Sequence, residues 1–163
     1  MSMQIRTIPM ETLSELVLLQ LEKGGKARLT VTGYSMQPML YHRRDAVELI
    51  PVRDRQKTGD VVLYRRESGQ FVLHRIIAQT PDGYICCGDN QYMREPVTHT
   101  QLLAAVEGFT RNGRQYTTAA PGYRLYTWVW VKLFFLRKYY IPIRRYMGRI
   151  RSKLRRITLK NGG

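Results

Sequence analysis

Three side chains in the first ninety residues have the chemistry of a hydrolytic site. Ser35 lies in the segment GYSMQPML, directly after a predicted strand, where its hydroxyl can face a cleft and its backbone N–H can point at an oxyanion. His74 follows 39 residues later inside the apolar run VLHRI, and Asp89 follows 15 residues after that in a Gly-Asp-Asn turn. A serine in a turn and a histidine in a core are also ordinary structural features. The surrounding sequence must therefore decide between a catalytic and a structural role for them.

The elements that would position these side chains are short and mostly of β type. Residues 10–22 predict a helix that ends at Gly24-Gly25 and places Leu13, Leu16, Val17 and Leu21 roughly on one face. Turn signals then separate β-type runs, and Asn112-Gly113 predicts a hairpin. These runs are residues 27–33, 46–52, 60–66, 71–79, 84–87 and 102–110. The pattern predicts a mainly β fold, a small coiled antiparallel β domain.

Composition excludes several classes of protein. With 163 residues, 44% hydrophobic and 24% charged, the chain can bury a core without disulfides and is not globally disordered. The only cysteines, Cys86 and Cys87, are adjacent, which suits neither a disulfide nor a zinc site; we expect two strand residues with one buried. His42 and His99 have no ligand-spaced partner, and no phosphate loop or dinucleotide fingerprint occurs, so we predict no metal and no cofactor.

The net charge of +15 is concentrated at one end of the chain. Residues 1–107 carry 13 basic and 12 acidic side chains, whereas residues 108–163 carry 14 basic side chains and no acid. We therefore divide the chain into an N-terminal helix (residues 1–25), a β domain (26–120) and a cationic tail (121–163), with the sequence AAPG at the last boundary. Such a tail requires an anionic partner or solvent.

Neither an export signal nor a membrane span is predicted. Glu11, Glu15 and Glu22 interrupt the first helical segment, unlike a signal peptide. The most apolar stretch, residues 126–136, is shorter than the roughly 20 residues that a spanning helix needs. We expect the chain to act in the cytoplasm or at the cytoplasmic face of the membrane.

The tail combines an aromatic half with an arginine-rich half, and Pro142 between them is expected to kink or break the helix. Aromatic side chains favour the headgroup zone and basic ones favour anionic lipid, so we predict that residues 123–159 lie on an anionic membrane surface. The alternatives are a helix packed on the body with a solvated end and, third, nucleic acid. The residues expected at the membrane surface are Trp128, Trp130, Phe134, Phe135, Arg144 and Arg145.

Five sequence boxes in order, together with a closing VEGF strand, resemble the signal peptidase I family and, more broadly, the superfamily that includes the self-cleaving SOS repressors. The boxes lie between about residues 27 and 109 and read GYSMQPML, RRDAVEL, TGDVVLYRR, VLHRI and GDNQ. The resemblance implies a signal-peptidase-type β fold and a serine endopeptidase. Its substrate class would be a leader or precursor peptide, cleaved after small residues and bound in extended form by strand addition.

The same resemblance implies a role for each matching residue. Ser35 would be the nucleophile, and His74 the base where the common bacterial enzymes have lysine, as in the endoplasmic-reticulum and archaeal-type relatives. A neutral histidine needs little perturbation near pH 7, but it benefits from a carboxylate that fixes its tautomer. Asp89 is the preferred partner and Glu95 the alternative.

The Ser35 N–H would form part of the oxyanion hole, and the box around it (Gly33, Met36 and Pro38) would form the oxyanion and substrate site. Gly33 departs from the pattern because many relatives have serine there; it can instead allow a positive φ. Gln91 also departs from the pattern, and the usual N-terminal anchor is replaced by the helix around residues 13–21.

Asp45 and Asp60 match box positions and are interpreted as structural acids. A second hypothesis comes from another functional class: the fold could bind a peptide or nucleic acid without catalysing a reaction.

Overall fold

The structure, a computed structural model, describes residues 15–144 and 146–147. Its centre is one antiparallel sheet of eight strands in the order β1-β2-β7-β3-β4-β5-β6, with β8 paired to β7. The strands are β1 (Ala27–Thr30), β2 (Ala46–Pro51), β3 (Val61–Arg65), β4 (Phe71–Thr80), β5 (Gly83–Cys87), β6 (Glu95–Thr98), β7 (Leu102–Arg111) and β8 (Arg114–Thr117).

Among the described residues, one helix precedes the strands in the chain and two follow them. The helices are α1 (Glu15–Glu22), α2 (Pro121–Lys132) and α3, whose described residues are 137–144 and 146–147, with short 3₁₀ turns at His99–Gln101 and Phe134–Leu136. In the part of the chain that the structure describes, no helix is both long and apolar enough to cross a bilayer.

The sheet buries apolar side chains on both faces, which explains the nearly continuous apolar runs of its central strands. On one face, Leu29, Leu63 and Leu73 pack with the segment that follows β1. On the other face, Tyr64 and Ile76 pack with residues of β5. Register shifts in β2, β3 and β4 interrupt the ladders, and such bulges increase local twist.

The structure confirms a mainly β antiparallel fold and all six predicted strand runs, with bounds that differ by up to three residues. The Asn112-Gly113 hairpin is also confirmed: Phe109 pairs with Tyr116, and both turn residues have positive φ (49° and 78°), as a type I′ turn requires. Strand β6 was missed because it is short and contains Pro96, which suits only a sheet edge.

Three expectations need correction or restriction. Cys86 and Cys87 are both buried, because β5 is covered on both faces. The C-terminal helix is interrupted at residues 133–136, whereas α3 continues through Pro142. Of the predicted N-terminal helix, only Glu15–Glu22 falls within the described residues, and Leu13 lies outside them.

Candidate functional site

The segment after β1 turns sharply at Gly33 and then presents Ser35. Gly33 has a φ of +85°, which is the left-handed region that favours glycine, and its N–H donates to His42 Nδ1 at 2.9 Å. The turn after β5 holds this segment in place. The Asn90 N–H donates to the Ser35 carbonyl at 2.7 Å, and Asn90 Nδ2 donates to the Tyr34 carbonyl at 3.1 Å.

Gly88 lies close to Ser35 where these two segments meet. A Cβ atom on Gly88 would lie 2.7 Å from the Ser35 carbonyl oxygen and 3.0 Å from Ser35 Cβ. Any larger residue would therefore push Ser35 away, so the glycine of the Gly-Asp-Asn turn has a steric function.

Ser35 and His74 line the same cleft, which has a volume of about 360 Å³. The hydroxyl of Ser35 and the ring of His74 are not hydrogen-bonded to each other in the described structure. The Ser35 backbone N–H likewise donates to no acceptor among the described residues, so it is available to an incoming group. The other lining residues are Thr32, Gly33, Tyr34, Arg66, Gln70, Phe71, Val72, Leu73, Asn90 and Gln91.

A hydrogen-bonded chain leads from His74 to the edge of the sheet. His74 lies in the middle of β4, only 4% exposed, and its Nδ1 is 3.1 Å from the Tyr64 hydroxyl. That hydroxyl donates to Glu95 Oε2 at 2.7 Å. Arg66 binds both oxygens of the same carboxylate through Nε and Nη2.

The hydrogen bonds that link His74, Tyr64 and Glu95 determine which ring nitrogen of a neutral His74 carries the proton. The Arg66 guanidinium lowers the pKa of Glu95, so the carboxylate is ionised and can only accept hydrogen bonds. The single Tyr64 proton therefore points at Glu95, and the Tyr64 oxygen accepts the N–H of His74 Nδ1. Nε2 is left with a free lone pair, which is the state that a general base requires.

Burial lowers the pKa of His74 from its ordinary 6.5 to about 4, against the opposing charge of Glu95. The ring is thus neutral near pH 7. A proton that arrives on Nε2 would be stabilised by the Glu95 carboxylate, whose Oε2 is 3.9 Å from Nδ1.

The expected partnership of Asp89 with His74 is corrected by this geometry. Asp89 is buried and accepts two hydrogen bonds from Arg75, from Nε at 2.8 Å and from Nη2 at 2.7 Å. Glu95, the alternative, is the carboxylate that reaches His74, through Tyr64. The physical reason is strand alternation: His74 and Arg75 are neighbours in β4, so their side chains lie on opposite faces of the sheet.

Arg75 also connects the sheet to α2. Its Nη1 donates to the carbonyl of Gly59, to the Tyr123 hydroxyl at 3.2 Å and to Thr127 Oγ1 at 3.1 Å. Arg137 at the start of α3 extends this buried cluster, because its Nη1 donates to the Gly88 carbonyl at 3.2 Å.

Two members of the predicted substrate site lie elsewhere. Met36 is 2% exposed and belongs to the core, because it packs on the inner face of the sheet, and it does not line the cleft. Pro38 is half-buried and is likewise not among the cleft residues. Asp45 and Asp60 have the structural roles expected of them: each accepts backbone N–H groups, from Tyr41 and Lys57 respectively.

Sequence reasoning missed Tyr64 and Arg66 as members of the site. The signal that could have found Tyr64 is the pairing of β3 with β4, in which Val62 stands opposite His74. Tyr64 is then the diagonal neighbour of His74 on the same face, close enough for a long side chain to contact it.

The residues predicted to face a membrane differ in their surroundings. Trp128 and Phe135 are exposed, whereas Trp130 and Phe134 are half-buried and stack with the Arg137 guanidinium. Arg144 is half-buried, with its Nη1 3.5 Å from Asn90 Oδ1. Arg145 lies outside the described residues.

Comparison of the chain with protein-family models, with curated proteins and with solved structures found no match.

Proposed function

We propose that this protein is a serine endopeptidase of the Ser-His type, with a signal-peptidase-like fold, that cleaves a leader or precursor peptide. The observation that carries the proposal is that Ser35 lines a cleft with His74, whose Nε2 is free because Nδ1 is bonded to Tyr64. Two chain segments far apart in sequence thus bring a nucleophile and a base to one concave surface, which is the usual setting of an active site.

In the proposed mechanism, Ser35 Oγ attacks the peptide carbonyl while His74 Nε2 takes its proton. The Ser35 N–H donates to the oxygen that becomes negative in the tetrahedral intermediate. His74 then returns the proton to the leaving amine, and a water molecule releases the acyl group by the same route in reverse. Glu95 stabilises the imidazolium through Tyr64, and Arg66 keeps Glu95 ionised.

The absence of a Ser35–His74 hydrogen bond in the described structure is compatible with this mechanism, because such contacts are often long in free enzymes and tighten when substrate binds. The same absence, together with the low pKa of His74, favours the second candidate, a protein that binds peptides in the cleft without cleaving them. A base whose pKa lies well below 7 gains less driving force for proton transfer.

A fluorophosphonate probe, which reacts only with an activated serine, distinguishes the two candidates. We expect the full-length chain to be labelled on Ser35, as located by peptide mass spectrometry, and the His74→Gln variant to be labelled at least about 100-fold more slowly. Ser35→Ala should not be labelled. Ser68→Ala is the matched control, because Ser68 is exposed in the β3–β4 turn, and it should react like the wild type.

Absence of labelling in the wild type, or equal labelling of wild type and Ser35→Ala, would contradict the peptidase proposal. Circular dichroism of each variant shows whether the fold is retained. The Ser35 side chain makes no hydrogen bond within the described structure, so its removal should leave stability nearly unchanged.

A further inference from the structure

The helix α2 has two apolar faces, and the sheet covers only one of them. The inner face carries Tyr123, Tyr126 and Trp130; two of these pack against the core, and Trp130 stacks on Tyr126. The outer face carries Leu125 and Trp128, which are 63% and 60% exposed. Large exposed apolar side chains that stand together on one helix typically mark an interaction surface, and nothing in the described structure covers Leu125 and Trp128.

The next helix repeats this arrangement. In α3, Arg137 and Ile141 are buried against the body, which fixes the orientation of the helix. The opposite side exposes large apolar or aromatic side chains, and residues 133–136 between the helices do the same. We call these exposed side chains together the outer apolar face; they are Leu125, Trp128, Val129, Leu133, Phe135, Leu136, Tyr139, Ile143, Tyr146 and Met147.

The two helices that form this face carry basic side chains and no acidic ones. Arg124, Lys132 and Lys138 are exposed on the same two helices. No carboxylate side chain occurs after Glu107 in the sequence. Each basic side chain near an anionic lipid surface contributes about 1 kcal/mol, and tryptophan and tyrosine prefer the headgroup region.

We propose that the outer apolar face binds the surface of an anionic lipid bilayer, with α2 and α3 lying in the plane of the interface. Within the residues that the structure describes, neither α2, which has 12 residues, nor the described part of α3 is long and apolar enough to span a bilayer. A second copy of the chain is a poorer occupant, since it would bring two cationic tails together. Nucleic acid is also poorer, because leucine, valine and isoleucine gain little from phosphates or stacked bases. This proposal does not depend on the peptidase activity.

Tryptophan fluorescence gives a direct test, because the chain has only two tryptophans. The Trp130→Phe variant leaves Trp128 on the outer apolar face as the sole reporter. We expect its emission to shift to shorter wavelength when vesicles of phosphatidylcholine and phosphatidylglycerol are added. The shift should be smaller with phosphatidylcholine alone and should weaken at high salt.

A matched pair of variants tests the location of the contact. Leu125→Ser/Leu133→Ser removes two leucines from the outer apolar face, and vesicle sedimentation should show binding weaker by about tenfold or more for each leucine. Leu19→Ser changes a leucine on α1 that is as exposed as Leu133 (46% against 45%) and should bind like the wild type. Equal thermal unfolding of the variants excludes a folding defect as the cause.

Three results would overturn the proposal: no change in Trp128 emission with anionic vesicles, a shift that depends on protein concentration and accompanies a dimer in sedimentation without lipid, or a shift with DNA but not with vesicles. Ser35→Ala should bind vesicles as tightly as the wild type, so failure of lipid binding and failure of catalysis are separate outcomes.

Discussion

Two charged clusters lie on opposite faces of strand β4, and they start from adjacent residues. On the cleft side, His74 is linked through Tyr64 to Glu95, which is partly exposed. On the other side, Arg75 and Asp89 are fully buried beneath α2. The first cluster contains an imidazole, neutral near pH 7, whose free ring nitrogen can accept a proton during a reaction, and it lines a cleft. The second rests on guanidinium groups, which stay protonated, so it can only hold structure together.

The largest expected effect is a loss in the free energy of unfolding when the buried Arg75–Asp89 cluster is disrupted. Asp89→Asn leaves the Arg75 charge buried without its partner, so we expect a loss of about 3–5 kcal/mol in the free energy of unfolding, measured with urea. Glu107→Gln is the control, because its ion pair with Lys26 is exposed, and it should cost less than about 1 kcal/mol. Similar losses in both variants would mean that the buried pair has no special structural role.

The next effect is a pH dependence of stability, and it comes from His74 on the cleft side of β4. Burial lowers the pKa of His74 from 6.5 to about 4, so between these values the unfolded chain binds a proton that the folded chain does not. Stability should therefore fall as pH falls from about 6.5 toward 4, by at most about 3 kcal/mol from this group, and it should be unaffected by His74 above that range. His74→Gln should lack this component when urea unfolding is compared at several pH values. Parallel pH profiles for the two proteins would show that His74 is not shielded from water.

The smallest effect tests the hydrogen-bonded chain, and it rests on the proposed function. Tyr64→Phe leaves His74 Nδ1 without its acceptor, so we expect probe labelling of Ser35 to slow by about 10- to 100-fold and its pH dependence to shift. Tyr84→Phe is the matched control: Tyr84 is also buried on this face, but its hydroxyl accepts from the Gln56 N–H, away from His74. Equal labelling rates for the two variants would mean that the Tyr64 hydroxyl does not act on His74 and that Tyr64 contributes only packing.

Much of the scaffold could be predicted because its signals are local. Short apolar runs, and turns such as Asn112-Gly113 with positive φ at both residues, carry enough information to place strands within a few positions. The meeting of segments 33–35 and 88–91 was anticipated only through the resemblance to a family. The steric need for Gly88 became evident from the packing.

The partner of each carboxylate could not be predicted, because it depends on sheet register and on what covers each face. Asp89 and Glu95 are six residues apart, yet one contacts Arg75 and the other reaches His74. Periodicity alone places His74 and Arg75 on opposite faces but does not say which carboxylate joins which. The docking of α2 on Arg75 decides it, and that contact joins residues 48 and 52 positions apart.

The carbonyl of Gly88 accepts a hydrogen bond from Arg137 of α3, and the same residue lies so close to Ser35 that a Cβ atom on it would clash there. The C-terminal helices are therefore part of the structure that supports the cleft, and removing them should disturb it. A truncated chain ending at residue 120 would open the pocket around Arg75 and Asp89 to water and would remove the group that braces the backbone behind Ser35. Deletion would thus disturb the cleft although the deleted helices do not line it. A variant without the tail therefore needs compensating changes at Arg75 and Asp89.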